Sequence, residues 1–201
     1  MAIPLATMRK SMSSEAASLI IGMLAIIVAW LGYKSILAAS KVVLAEAVLI
    51  AISVAIHEIS HRNIARRYGC ISRYVLDPLG LILTLLSTFS PYLKIIVPGY
   101  VLITCPSYWG LGGRGSKDVL ILATIAGPLS NIVLGIIFRI TAILVGAEFF
   151  KIVFLDVSRL NGWLAFFNLL PVGPLDGARI FRALPVTWAL MFVASLGIMI
   201  L

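Results

Sequence analysis

The chain is short of nearly everything a water-soluble domain carries on its surface. Charged side chains make up 12% of its 201 residues, about half the usual share. Hydrophobic residues reach 61% and mean hydropathy is +1.10, which marks an integral membrane protein. Only eight acidic residues and two histidines are present, so chemistry that needs carboxylates or imidazoles draws on a very small set. The two cysteines, Cys70 and Cys105, are too few for a disulfide framework and form no C-x-x-C pair. They read as two ordinary thiols; nothing in the sequence requires a bridge. There is no internal repeat and no low-complexity tract. Once the apolar runs are set aside, no stretch is left for a separate soluble domain of usual size, so residues 1–201 read as one membrane-embedded domain.

The sixteen basic residues give a net charge of +8 but form no single dense patch, and nucleic acid is not an expected partner. They lie mostly in short connections between apolar runs, where cations hold loops in the cytoplasm and meet anionic lipid. Arg9 and Lys10 precede an uncharged run from Ala16 to Tyr33, too long for a signal peptide's apolar core and long enough to span a bilayer. Lys34 and Lys41 bracket a short connection to a second helix, Val42 to His61, and Arg62, Arg66, Arg67 and Arg73 follow. By the positive-inside rule that basic end is cytoplasmic, and so is the N-terminus.

Residues 78–104 do not read as a clean span. Pro78 to Leu93 is interrupted by Thr84, Ser87, Thr88, Ser90 and Pro91, and Ile95 to Ile103 is strand-like. Irregular backbone at membrane depth is tolerated only where protein buries it or a wet cavity borders it, so a re-entrant or membrane-embedded β-like segment is expected. Gly110 to Gly115 reads as a loop. Val119 to Phe138 forms the next span, with Gly127, Pro128, Ser130 and Asn131 in its middle, and continues to about Val145. Glu148, Lys151, Asp156 and Arg159 mark an aqueous boundary, Leu160 to Leu175 is a broken apolar run, and Ala183 to Leu201 makes a final span. The expected fold is all-α and polytopic, with about five transmembrane helices.

The two histidines stand four apart, in His57-Glu58-Ile59-Ser60-His61. On a helix, positions i and i+4 share a face. Two imidazoles so placed can grip one Zn²⁺ while the glutamate between them acts on water beside it. The competing reading makes them polar glue between helices. A catalytic zinc keeps three protein ligands and one open position; with no third histidine, a carboxylate completes the set. Glu15, Glu148 and Asp156 fall at membrane edges, and Glu46 lies about three turns before His57 on the same helix. Asp77 and Asp118 flank loops and stay open as candidates. Asp176 is the best choice, because an aspartate in a Pro- and Gly-broken apolar segment costs about 2.5–3.5 kcal/mol on insertion scales unless it is paired or metal-bound.

Three motifs then occur in order: His57–His61, Gly127-Pro128-Leu129-Ser130-Asn131, and the N-x-x-P-x-x-x-x-D-G segment from Asn168 through Pro171 to Asp176-Gly177. Together, over roughly residues 42–61 and 119–180, they resemble the site-2 protease family of intramembrane zinc metalloproteases. The resemblance implies one Zn²⁺ per chain held by His57, His61 and Asp176, with Glu58 as general acid/base. It implies that Asn168 steadies the scissile carbonyl or oxyanion, and that the substrates are single-pass proteins in the lipid bilayer of a cell membrane. Asn131 reads equally well as a structural residue and as part of the site, and Trp30, Trp109, Trp163 and Trp188 as interface anchors or lipid-facing packing. Family members often carry an appended domain, absent here, and six-span relatives have one more helix, so the chain reads as a minimal or truncated member. A zinc transporter and a catalytically silent adaptor are the rivals. Transport needs ligands in series along a path, which two histidines cannot supply.

Overall fold

The computed structural model describes residues 5–38, 40–90, 94–105 and 116–200. Seven α-helices and one two-stranded sheet follow in the order α1 (Leu5–Ala38), α2 (Lys41–Arg67), β1 (Ile71–Leu76), α3 (Pro78–Leu86), β2 (Gly99–Thr104), α4 (Ser116–Leu144), α5 (Glu148–Asn168), α6 (Asp176–Ala183) and α7 (Pro185–Ile200). Three of them are long and apolar enough to cross a membrane, over Ser14–Tyr33, Lys41–Arg67 and Lys117–Leu144. α7 has 16 residues, about 24 Å at 1.5 Å each, less than a hydrocarbon core of about 30 Å.

Two expectations are corrected. The stretch Glu148–Arg159, read as an aqueous boundary ahead of a separate apolar run, is part of one helix: α5 starts at Glu148 and runs through Asp156 and Arg159 without a break. Asp156 is tolerated there because its Oδ2 accepts a hydrogen bond from Trp30 Nε1 on α1, at 2.8 Å. The cysteines are not free thiols either. Cys70 and Cys105 form a disulfide, because antiparallel pairing of Ile71 with Thr104 sets positions 70 and 105 opposite each other. A cross-strand register of that kind leaves no trace in spacing along the chain. The expected loop at 110–115 and Trp109 lie outside the described residues.

Local chemistry explains how α2 hands over to the sheet. Ser40 Oγ caps its start by accepting from Val43 N–H. At the other end Gly69 takes a positive φ of 75°. Its N–H donates to Arg66 O, and the Cys70 N–H donates to Ala65 O. This is the paired closure that ends helices on a left-handed glycine, and it turns the chain directly into β1. Glu15 on α1 holds the same corner, bound to Arg62 at 3.0 Å and to the Tyr74 N–H at 3.0 Å.

The segment expected to be re-entrant or β-like, residues 78–104, is described over 78–90 and 94–104 as a helix, a 3-10 turn, a returning stretch and β2. Asp77 caps α3 through Gly80 N–H and Pro78 occupies its first turn, both ordinary helix-start signals. A 3-10 turn at Ser87–Phe89 ends the descent. Residues 94–98 then run back over α3 to β2, tied by Val97 N–H to Thr84 Oγ1 (3.1 Å) and Asp77 N–H to Pro98 O (3.0 Å). Those bonds satisfy backbone that lipid could not. Leu79, Ile82, Leu86 and Phe89 face outward.

The interior holds apolar clusters such as Ile26, Ile50, Val54, Leu160 and Leu164, and the departure from a soluble protein lies in the apolar exterior and in the polar groups set among the helices. Large apolar side chains such as Leu44, Val48, Ile136, Ile140, Ile143 and Val193 are exposed around the helices, whereas Ser53, Thr124, Asn131, Ser158, Asn161 and Ser195 are buried between them. Polar groups on membrane helices turn inward where partners await them. The tryptophans are less lipid-facing than expected: Trp163 Nε1 donates to Lys94 O and Trp188 Nε1 to Leu169 O, each joining two elements.

Candidate metal centre

His57 and His61 project from one face of α2, 6% and 5% exposed. Asp176 arrives as the first residue of α6, after α5 has ended at Asn168 and the chain has turned through Pro171, Gly173 and Pro174. Gly173 takes a positive φ of 54°. Gly177 sits so close to the Leu169 carbonyl that no side chain would fit, which lets α6 start directly against the end of α5. Sequence distance of 115 residues or more thus closes to contact: Asp176 Oδ2 lies 3.2 Å from His61 Nε2 and 3.9 Å from His57 Nε2.

Protonation at the site follows from the hydrogen bonds behind it. Asn161 Nδ2 donates to the Val157 carbonyl and to Ser53 Oγ, so its Oδ1 is the acceptor for Asn131 Nδ2. Asn131 Oδ1 is therefore an acceptor, and His57 Nδ1, in contact with it, carries the proton. His61 Nδ1 likewise donates to the Ala123 carbonyl, 2.7 Å away. Both Nε2 atoms are left as bare lone pairs, 3.1 Å apart, with a carboxylate oxygen beside them. Three electron-pair donors that converge in this way repel one another unless a metal ion or a proton lies between them.

The donor set fits zinc. Bonds of about 2.0–2.2 Å in a tetrahedron place ligand atoms about 3.3–3.5 Å apart, and the three atoms here all lie within 4.8 Å of one another. Among the described residues this is the one group of three or more such side chains so placed. Three protein ligands leave the open position that catalytic sites keep. Each imidazole donates its other nitrogen's proton to a fixed acceptor, the arrangement that orients metal-binding histidines.

A cavity of about 440 Å³ opens onto these residues. Its walls include Glu58, Asp77, Asn168, Pro174 and Arg179, and β2 contributes Gly99, Tyr100, Val101 and Ile103. Asn168 stands in the cavity wall, with Nδ2 donating to Leu164 O at 2.9 Å. Asp77 reaches the same cavity but caps α3; Asp118 lies in the first turn of α4 and Glu46 at the far end of α2, so none of the three joins the metal group. Asn131, left open between two roles, holds His57. Asn161 and Ser53 were not singled out as site residues. A signal for part of this was present: Gly127 and Asn131 repeat the four-residue spacing of His57 and His61, as a facing antiparallel helix requires.

No protein-family model and no solved structure matches the chain. Two curated proteins of Methanocaldococcus jannaschii do. One, provisionally named a zinc metalloprotease, is 31% identical over 146 residues, 72% of each chain. The other, named a zinc metalloprotease, is 28% identical over 144 residues, 68% of this chain and 33% of its own length. These relatives, three helices apolar enough to cross a membrane and a His57, His61 and Asp176 group that could hold a metal ion place the chain among the zinc metalloproteases. Among them, the chain belongs to the site-2 protease family.

Proposed function

We propose that the chain hydrolyses a peptide bond within the transmembrane segment of single-pass membrane proteins, as an intramembrane zinc endopeptidase. The observation that carries this reading is the convergence of His57, His61 and Asp176 beside Glu58 on a helix long enough to span the bilayer. His57 lies ten residues before Arg67, about 15 Å along α2, so the bond to be cut meets the site below the membrane surface.

Zinc, when bound, supplies a Lewis acid that polarises the scissile carbonyl and brings the pKa of its water to about 7. Glu58 takes the attacking water's proton and returns it to the leaving amine. Asn168, on the cavity wall, donates to the oxygen that gains charge at the carbonyl carbon. Asn131 and the Ala123 carbonyl hold the two imidazoles in the tautomer that keeps both Nε2 atoms toward the metal. Among the described residues β2 pairs along one edge, with β1, and its residues line the cavity. The other edge can hold an unwound stretch of substrate by strand addition. With the three long helices α5 and α7 make up five spans, the shorter α7 matched by local thinning of the bilayer, and the basic end of α2 faces the cytoplasm.

The test separates metal binding from chemistry. Glu58→Gln keeps the side chain's shape and removes the base, so purified protein should retain about one Zn²⁺ while cleavage of a transmembrane reporter in proteoliposomes is lost. Cleavage near the normal rate by that variant would exclude the mechanism.

A further inference from the structure

Glu58 has a second carboxylate oxygen that the mechanism leaves idle. Oε2 is buried and has no hydrogen-bond partner among the described residues. An unpaired buried carboxylate oxygen is costly, and a general base whose carboxylate can rotate is badly aimed. Behind the metal site lies a second, smaller cavity of about 30 Å³, room enough for an ordered water. Its lining includes His57, Glu58, Asn168 and Tyr74.

Tyr74 reaches that cavity from β1 by an unusual route. Its residue is 5% exposed, and its backbone N–H is already used on Glu15. The phenol passes between Gly22 of α1 and Gly99 of β2; a methyl group on either glycine would fall 2.5 Å from the hydroxyl oxygen. Two elements thus lack side chains at the points where that oxygen passes. Tyr74 and Glu58 both line the small cavity. A phenylalanine would pack against the same apolar wall of Ile26, Val54, Ile96 and Leu164, so burial alone does not call for the hydroxyl.

The geometry points to Tyr74 as a positioning residue for the general base: its hydroxyl donates to a water held in the small cavity, and that water donates to Glu58 Oε2. One carboxylate oxygen is thereby anchored and the other is turned to the metal-bound face. The inference rests on the reading of Glu58 as base given above. Tyr74 touches neither substrate nor metal, and no proton leaves it.

The experiment compares wild type, Glu58→Gln, Tyr74→Phe, Gly22→Ala and the Tyr74→Phe/Gly22→Ala pair, all in proteoliposomes with one transmembrane reporter. Tyr74→Phe should lower kcat about ten- to hundredfold, the scale of a misaimed catalytic group, with KM, zinc content and melting temperature unchanged. Gly22→Ala should lower kcat by displacing the hydroxyl. The double variant should be no worse than Tyr74→Phe, since the atom that the new methyl would displace is then absent. An unchanged kcat in Tyr74→Phe, with Glu58→Gln inactive and zinc-loaded, overturns this inference and leaves the proposed function standing. A fall matched by lost zinc or a lower melting temperature also overturns it, as a packing effect. A zinc-loaded wild type with no cleavage removes both.

Discussion

Gly127 on α4 faces the imidazole of His61 on α2 so closely that no side chain can stand between them. One turn further along each helix, Asn131 meets His57. Two four-residue spacings on antiparallel helices therefore interlock, one pair supplying ligands and the other supplying a gap and a hydrogen bond. Pro128, next to the gap, has no N–H for the Thr124 carbonyl, which loosens α4 beside Ala123, whose carbonyl takes the His61 proton. Gly127→Ala should push His61 aside. Zinc affinity and cleavage should fall together, at least tenfold on the scale of lost support around a metal site. Metal content after dialysis against a graded chelator series checks it; normal retention would mean that α2 and α4 can separate to admit the methyl group.

Asn131→Ala removes the side-chain acceptor that fixes the His57 tautomer and leaves Asn161 Oδ1 unpaired in a buried site. Zinc binding should weaken by about 10–100-fold. Asn161→Ala, one bond further from the metal, should act in the same direction with a smaller effect, because Asn131 keeps its contact with His57. Competition with a fluorescent chelator measures both. A larger loss from Asn161→Ala than from Asn131→Ala would reverse the proposed order of the network.

Much of this centre was legible in the sequence because a scarcity made it so. With two histidines and eight acidic residues, the search for ligands had few members, and an aspartate after Pro171-Val172-Gly173-Pro174 could be singled out on energetic grounds. The irregular backbone of residues 78–104 was legible for a related reason: prolines and hydroxyls in an apolar run demand partners, and Thr84 and Asp77 prove to supply them. The start of α5 was not legible, because Glu148, Lys151, Asp156 and Arg159 read as an aqueous edge. Only the fold shows that Trp30 meets Asp156. Tyr74 was invisible for another reason. Its interest lies in two glycines on other elements, at positions 22 and 99, and no pattern along one strand reports them.

The disulfide gives an independent handle on β2. It closes a loop with a sequence separation of 35 that contains β1, α3 and β2, a constraint worth about 4 kcal/mol in the chain-entropy model. Cys70 sits at the basic end of α2, the end proposed to face the cytoplasm, where thiols stay reduced in most cells but not in hyperthermophilic archaea. Under native purification neither cysteine should react with a thiol label before reduction. Cys70→Ser/Cys105→Ser, or reductant, should lower the melting temperature and slow cleavage while zinc content stays unchanged, since β2 borders the cavity without supplying a ligand. Two labelled thiols in the native protein would show that the bridge does not form in the cell.

Where the substrate is cut follows from where the metal group sits. His57 and His61 lie in the second half of α2 with Arg62, Arg66 and Arg67 beyond them, and Asp176 opens α6, which carries Arg179 and Arg182, so the scissile bond should fall inside the substrate's span, nearer its cytoplasmic end. An intact helix keeps its carbonyls in internal hydrogen bonds, and neither Glu58 nor Asn168 can act on a peptide group held that way. Local unwinding must therefore precede attack, and it is cheaper where the helix is weak. Gly, Asn or Pro near the bond should raise the cleavage rate, and a uniformly leucine-rich span should resist, with propensity differences of about 1 kcal/mol for Gly and about 3 for Pro setting the scale. Mass spectrometry of the products from a series of reporter spans locates the bond and ranks the rates. Cuts confined to the external half or to aqueous loops would refute the orientation, and equal rates for leucine-rich and glycine-containing spans would refute the unwinding step.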